Sequence, residues 1–236
     1  MKKFILLSCL LCTSLFALAQ DKNFHIYLCL GQSNMEGNAK IEPQDTCNID
    51  ERFLVMSAVD CPSLGRTIGQ WYKAVPPLAR CHTGLTPADY FGRTLVERLP
   101  DSIRVGVINV AVGGCRIELF DEEKREDYIA SQPEWLKNIV KAYDNNPYRR
   151  LKELAKEAQK AGVIKGILLH QGESNTGDKE WPQKVKRVYE ILLRDLNLQA
   201  KDVPLLAGEL VHADQNGQCA SMNEVINTLP QVIPTA

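Results

Sequence analysis

The sequence predicts an α/β fold in which a mostly parallel sheet is covered by helices on both faces. Apolar, strand-like runs alternate with amphipathic segments along the chain, which is the pattern of repeated strand–helix units. The chain has 236 residues, of which 44% are hydrophobic and 24% are charged, a composition that suits one globular domain with a large core. We therefore expect a single domain over residues 20–236.

The first 19 residues have the features of a secretion signal. Two lysines precede an apolar stretch, residues 4–18, and Ala17-Leu18-Ala19 has the small-x-small form of a signal peptidase site. Later segments do not approach the roughly 18 unbroken apolar residues that a membrane span needs. We expect residues 1–19 to be a signal peptide and the mature protein to be secreted or periplasmic, with no membrane span.

Four apolar runs and two amphipathic segments predict the main strands and helices. The runs cover residues 25–30, 103–112, 163–170 and 203–206. Apolar residues recur at helical spacing at Leu151, Leu154, Ala155, Ala158 and Ala161, and again at Val185, Val188, Tyr189 and Leu192. Gly162 marks the predicted end of the first helix. Residues 42–87 carry prolines, glycines and cysteines without clear periodicity, which predicts a long excursion over the active-site edge.

The net charge and the cysteine and histidine content indicate which partners, disulfides and metal sites to expect. The formal net charge of −1 provides no long-range field for a polyanion, so we expect no nucleic-acid partner. In an oxidising compartment, a disulfide among Cys47, Cys61 and Cys81 is expected, although the sequence does not choose the pairing. There is no Cys-x-x-Cys, and the four histidines lack metal-ligand spacing, so neither a metal nor another cofactor is predicted.

Three of the predicted strands end in unusual polar or glycine-rich sequences. These segments are Gly31-Gln32-Ser33-Asn34-Met35, Val112-Gly113-Gly114-Cys115 and His170-Gln171-Gly172-Glu173-Ser174-Asn175. The carboxyl ends of parallel strands lie along one rim of a sheet, where α/β proteins place their sites. The three segments can therefore build a single site.

The three segments supply the groups that acyl transfer needs. Ser33 is the candidate nucleophile, and it requires a base to take its proton. Gly113 and Gly114 offer unobstructed N–H groups for an oxyanion, and Gln171 can add a side-chain N–H. Each residue alone has a plainer interpretation, as a turn residue for Ser33 and the glycines and as a capping group for Gln171 and Glu173. It is their combination that favours catalysis.

Together the three segments resemble the first three sequence blocks of the SGNH-type esterases. The closest match is the branch that contains carbohydrate esterase family six acetylxylan esterases and sialate O-acetylesterase domains, and the likeness covers residues 25–229. The resemblance implies a three-layer α/β/α sandwich with a flavodoxin-like sheet, which removes acetyl groups from sugars without a metal. It also implies that Ser33 is the nucleophile and that the Ser33 backbone, Gly113 or Gly114, and Gln171 form the oxyanion hole. Glu173 would orient the site or help to position the base. The expected partner is an acetylated carbohydrate.

The sequence departs from this family in two places. Cys115 stands where a threonine is usual, a modest change because the backbone is the expected contributor there. The last block of the family, an Asp-x-x-His that supplies the base and its partner, has no match. The nearest pattern is Glu209-Leu210-Val211-His212, which makes His212 a candidate base. The missing block favours a truncated or frameshifted form of the family over His212 as the working base. The predicted function is an exported carbohydrate O-acetylesterase, and the alternative is a catalytically impaired or truncated family member that binds acetylated glycans without efficient turnover.

His170 and the three tryptophans lie outside the predicted catalytic set. His170 is predicted to be structural and hydrogen-bonded near the rim. The three tryptophans, Trp71, Trp135 and Trp181, either stack on sugar rings or fill the core.

Overall fold

A six-stranded sheet forms the centre of the molecule in a computed structural model that describes residues 20–236. The strands are β1 (Asp21–Gly31), β2 (Phe53–Met56), β3 (Trp71–Lys73), β4 (Arg104–Ala111), β5 (Gly162–His170) and β6 (Leu205–Ala207). Their spatial order is β3-β2-β4-β1-β5-β6, and neighbouring strands are parallel except for β2 and β3. The predicted signal peptide lies outside the described residues.

Helices cover both faces of this sheet, which confirms the predicted three-layer α/β/α class. They are α1 (Ser33–Glu36), α2 (Pro87–Arg98), α3 (Arg125–Ser131), α4 (Glu134–Lys141), α5 (Pro147–Ala158), α6 (Trp181–Asp195), α7 (Met222–Ile226) and α8 (Leu229–Val232). Because side chains on a strand alternate between faces, β1 contributes Ile26 and Leu28 to the core that α5 and α6 cover. The intervening Cys29 faces the smaller core beneath α2.

The two predicted helices form as α5 and α6, but the role assigned to Gly162 is wrong. Helix α5 ends at Ala158, and Gly162 is the first residue of β5. A Cβ atom at Gly162 would lie 2.5 Å from the carbonyl oxygen of Phe24. Glycine is needed there because two strands approach closely.

The segment from residue 42 to residue 87 is more ordered than the sequence predicted. It contributes β2 and β3 to the sheet, and β2 lies between β3 and β4. The four residues of β2 are too few for periodicity to identify, and their pairing with β4 stabilises them. Within the same segment, Cys61 forms a disulfide with Cys81, with the two Cα atoms 5.4 Å apart. Cys47 is a free thiol.

Strand register brings the three unusual segments to the same level. In the register of the sheet, Gly31 of β1 pairs with Ala111 of β4 and with His170 of β5. Each segment therefore leaves the sheet at the same edge. Within residues 20–236, no helix is long and apolar enough to cross a bilayer.

Candidate active site

Ser33 begins helix α1 immediately after β1. The N–H of Gln32 donates to the carbonyl oxygen of His170 over 3.0 Å, and the N–H of Glu36 donates to the carbonyl oxygen of Gln32 over 2.8 Å. A Cβ atom at Gly31 would lie 2.1 Å from the carbonyl oxygen of His170. Glycine is therefore required for the close approach that holds the Ser33 turn against the end of β5, and the Ser33 side chain remains partly exposed.

Gly113 and Gly114 form the turn that follows β4. The N–H of Val112 donates to the carbonyl oxygen of Gly31 over 3.1 Å, which ties this turn to the end of β1. Gly114 is exposed and has a φ of 72°, a left-handed conformation that favours glycine. Among the described residues, neither glycine donates its N–H to another group. Their N–H groups are thus not engaged by the described part of the protein.

An ion pair lies behind the buried glycine of this turn. Glu36, at the end of α1, accepts a hydrogen bond of 2.5 Å from Nη2 of Arg80. A Cβ atom on Gly113 would lie 2.8 Å from Oε2 of Glu36, so this carboxylate packs against the turn. Arg80 follows Glu36 by 44 residues, and the sequence offers no signal that pairs them.

Gln171 connects all three segments from beneath the rim. Its side chain is only 1% exposed. Its amide nitrogen lies 3.1 Å from Oε1 of Gln32, 2.8 Å from Oδ1 of Asn175 and 3.3 Å from the carbonyl oxygen of Cys115. Its oxygen accepts from Nε1 of Trp181 over 2.5 Å. Both amide hydrogens are therefore engaged, and Gln171 must release an acceptor before it can donate to an oxyanion.

Glu173 lies between Asn34 and His170. Its Oε1 accepts a hydrogen bond of 2.9 Å from Nδ2 of Asn34 and is 4.0 Å from Nδ1 of His170. Among the described residues, Oε2 of Glu173 and Nδ1 of His170 are buried without a hydrogen-bond partner. The prediction that His170 is hydrogen-bonded is wrong for Nδ1, because a separation of 4.0 Å exceeds hydrogen-bond length.

His212 lies on the loop after β6, in a cleft beside the turn that carries Ser33 and Asn34. The cleft has a volume of about 510 Å³ and is lined in part by Asn34, His170, Glu209 and His212. Nε2 of His212 is 2.8 Å from Oε2 of Glu209. Hydrogen bonds hold the pKa of Glu209 below its usual range, and the one from Asn227 has a larger effect than the one from His212. His212 thus has an ionised carboxylate partner, as a general base requires for orientation.

Sequence reasoning missed some of these contacts. Asn34 and Asn175 lay inside the quoted segments without an assigned role, and the structure gives them hydrogen bonds to Glu173 and Gln171. Their presence in the same short motifs as Ser33 and Gln171 was the available signal. Cys115 is buried beneath the turn, with its sulfur 3.6 Å from the carbonyl oxygen of Gly31, and burial raises the pKa of its thiol.

Solved structures show the same fold. A protein from Arabidopsis thaliana matches with a TM-score of 0.63 and 23% identity over 88% of this chain and 82% of its own. The carbohydrate acetylesterase XAC1771 from Xanthomonas citri matches with a TM-score of 0.60 and 20% identity over 88% of this chain, which spans 47% of that protein. NanS matches with a TM-score of 0.57 and 18% identity over 89% of this chain and 73% of its own.

Identities this low show the fold but not the family, and a family model shows the family. The model described as carbohydrate esterase, sialic acid-specific acetylesterase matches residues 23–235. That range contains all three strand-end segments and every element of the sheet except the first residues of β1. The chain therefore belongs to the sialic acid-specific acetylesterase family of carbohydrate esterases.

Proposed function

We propose that this protein is an exported carbohydrate O-acetylesterase in which Ser33 is the nucleophile. One observation carries the proposal: three segments far apart in sequence meet beside the turn that carries Ser33. Gln171, from the third segment, contacts Gln32 of the first and Cys115 of the second. A reactive hydroxyl, free backbone N–H groups and carboxylate–imidazole pairs thus share one rim, as acyl transfer requires.

The reaction follows from these positions. Ser33 Oγ attacks the carbonyl carbon of the acetyl ester while the base takes its proton, and the carbonyl oxygen becomes an oxyanion. The N–H groups of Gly113 and Gly114 stabilise that charge, and Gln171 adds a donor when it releases one acceptor. The sugar hydroxyl leaves with a proton from the base. Water, deprotonated by the same base, then cleaves the acetyl-serine and releases acetate.

We propose His212, oriented by Glu209, as the base. The 2.8 Å contact between the two side chains and their place on the cleft beside Asn34 support this role. His170 is the competing candidate because it lines the same cleft and its Nδ1 is close to Glu173 without being hydrogen-bonded. Glu173 would orient that imidazole, or position the Ser33 turn through Asn34.

A fluorophosphonate probe tests the nucleophile directly. We expect the protein to be labelled at Ser33, and Ser33→Ala to lose both labelling and acetate release. His212→Ala should lower the labelling rate by about 10²–10⁴, the usual contribution of a general base, and His170→Ala should leave it nearly unchanged. The reverse result would transfer the role of base to His170. Folded protein that is not labelled at all would exclude the serine mechanism.

Glycan binding and acetate release, measured together, test the alternative function. In a catalytically impaired member, the site would bind an acetylated glycan but Ser33 would lack a competent base. Such a protein would bind the glycan in calorimetry and release no acetate. Binding together with acetate release would reject this alternative.

The sugar acceptor and the route of export also belong to the proposal. Acetylxylan and acetylated sialic acid are the two substrate classes expected, the first through carbohydrate esterase family six. Acetate release from a panel that contains both distinguishes them. N-terminal sequencing of the exported protein tests the signal peptide, and a mature start at Gln20 is expected.

A further inference from the structure

Trp135 packs on the oxyanion turn while half of its surface faces solvent. Helix α4 buries Leu136 and Val140 in the core, whereas Trp135 is 55% exposed. A Cβ atom on Gly114 would lie 2.6 Å from Cη2 of Trp135, so the six-membered ring of the indole rests on the Gly114 backbone. The exposed indole therefore borders the Gly113-Gly114 turn, which the bond from Val112 to Gly31 ties to the end of β1.

The other two tryptophans are accounted for by packing. Trp71 packs edge-on against Phe24, with ring centroids 4.8 Å apart, near the start of β1 and so at the opposite end of the sheet from the rim. Trp181 is fully buried and donates to Gln171. Trp135 combines solvent exposure with contact to the site, and burial in the core does not explain its position.

Polar groups lie beside Gly114, on which this indole rests. The hydroxyl of Ser174 donates to the carbonyl oxygen of Gly114 over 2.9 Å. Arg116, two residues after Gly114, has a side chain that is 45% exposed. Sugar-binding surfaces need this combination, because one face of a pyranose presents C–H groups and its edge presents hydroxyls. An aromatic ring that is apolar on its face and bordered by hydrogen-bonding groups matches both.

We propose that Trp135 is the platform on which a pyranose ring of the acetylated glycan stacks, with its acetyl group directed to Ser33. This inference rests on the proposed function and adds a substrate-binding residue to it. The stacked ring makes Trp135 a determinant of specificity for sugar esters over small esters. Its backbone contact with Gly114 sets the distance between the sugar and the oxyanion turn.

Substrate discrimination provides the first test. Trp135→Ala and Trp135→Phe are compared on acetylated xylo-oligosaccharide, on O-acetylated N-acetylneuraminic acid and on p-nitrophenyl acetate. We expect Trp135→Ala to lose about tenfold more kcat/KM on the hydrolysed sugar ester than on p-nitrophenyl acetate, a stacking contribution of ordinary size. The loss should appear mainly in KM, and Trp135→Phe should recover most of it. Leu64→Ala removes an exposed apolar side chain that does not line the cleft, and it should change kcat/KM on neither kind of ester. Equal losses on both substrates would overturn the proposal.

Fluorescence provides a readout that does not depend on turnover. In Ser33→Ala, the same two sugars should protect the exposed tryptophan from acrylamide quenching, and this protection should disappear in Ser33→Ala/Trp135→Phe. Absence of protection at millimolar sugar would overturn the platform. Protection without acetate release by the unmodified protein would retain the platform and reject the proposed esterase function, so the two failures are distinguishable.

Discussion

Asp89 carries a buried carboxyl group whose charge is unfavourable in the folded protein. It lies in the first turn of α2 and is 0% exposed. Its Oδ2 accepts a 2.8 Å hydrogen bond from the N–H of Thr86, but among the described residues its buried Oδ1 has no partner. Burial raises the pKa of Asp89 from an ordinary value of 3.8 to about 6. Thr86 also lines the cleft, so this cap supports a wall of the site.

The raised pKa sets both the size and the sign of the effect on stability. Folding favours the protonated form of Asp89. The stability that this carboxyl group contributes to the folded state is therefore complete below pH 3.8 and is lost as the pH rises through about 6. One pKa unit corresponds to about 1.4 kcal/mol, so ionisation costs the folded state about 3 kcal/mol at neutral pH. The effect is measurable against the usual stability of about 5–15 kcal/mol.

Asp89→Asn removes the charge and keeps an oxygen that can accept from Thr86. We expect its free energy of unfolding at pH 7.5 to exceed that of the unmodified protein by about 1–3 kcal/mol. The gain should shrink to about 1 kcal/mol or less at pH 4.5, where most of the Asp89 carboxyl in the folded protein is protonated. Urea unfolding followed by circular dichroism at several pH values measures both quantities.

Asp195→Asn is the matched control because its carboxyl has the opposite shift. Although burial raises it, hydrogen bonds from Lys152, Tyr148 and Arg194 lower the pKa of Asp195 overall. Its stabilising contribution is present above the ordinary pKa and is lost as the pH falls, so Asp195→Asn should destabilise the protein at pH 7.5. The reasoning about Asp89 is refuted if Asp89→Asn also destabilises the protein at pH 7.5. It is also refuted if the gain in the free energy of unfolding is as large at pH 4.5 as at pH 7.5.

Three further experiments test the site and the segment that leads to it. Arg80→Met should lower kcat by about tenfold because the unpaired Glu36 carboxylate then opposes an oxyanion at the neighbouring turn, and adding Glu36→Gln should restore it. Gln171→Ala should lower kcat by about 10²–10³ and the free energy of unfolding by about 1–3 kcal/mol, since it removes a donor and leaves buried groups unpaired. Cys61→Ser/Cys81→Ser should lower the free energy of unfolding by about 3 kcal/mol in urea, because the disulfide constrains the unfolded chain.

A specific result would contradict each of these three predictions. A double variant of Arg80 and Glu36 that is as slow as the Arg80 variant would show that packing, not charge, matters there. Normal turnover in Gln171→Ala would remove Gln171 from the site. An unchanged urea midpoint after loss of both cysteines would mean that the disulfide contributes nothing to stability.

The parts of the fold that were predictable are those with a repeated local pattern. The apolar run of β1 and the helical spacing of Leu151 and Leu154 are long enough to reveal their period, and both elements formed as predicted. Strand β2 was missed because four residues show no period. Gly162 was misassigned because a glycine after a helix looks the same whether it ends that helix or admits a neighbouring strand.

The candidate site shows the same division. Its residue types are visible in the sequence because three strand ends together carry glycine, serine, amide and carboxylate groups, and that combination predicts a site where each residue alone would predict a turn. Their contacts are not visible. The amide of Gln171 is occupied by three acceptors, and the burial of Trp181 against it follows from the packing of α6.

The sequence by itself determined that an α/β sheet brings three polar or glycine-rich segments to one edge, because strand periodicity and the direction of parallel strands are properties of local chain pattern. Only the tertiary structure decided that Arg80 neutralises Glu36, that Nδ1 of His170 lacks a hydrogen bond and that Trp135 rests on Gly114. These are contacts between distant segments. Their distances and burial depend on how the helices pack around the sheet, and no local pattern encodes that packing.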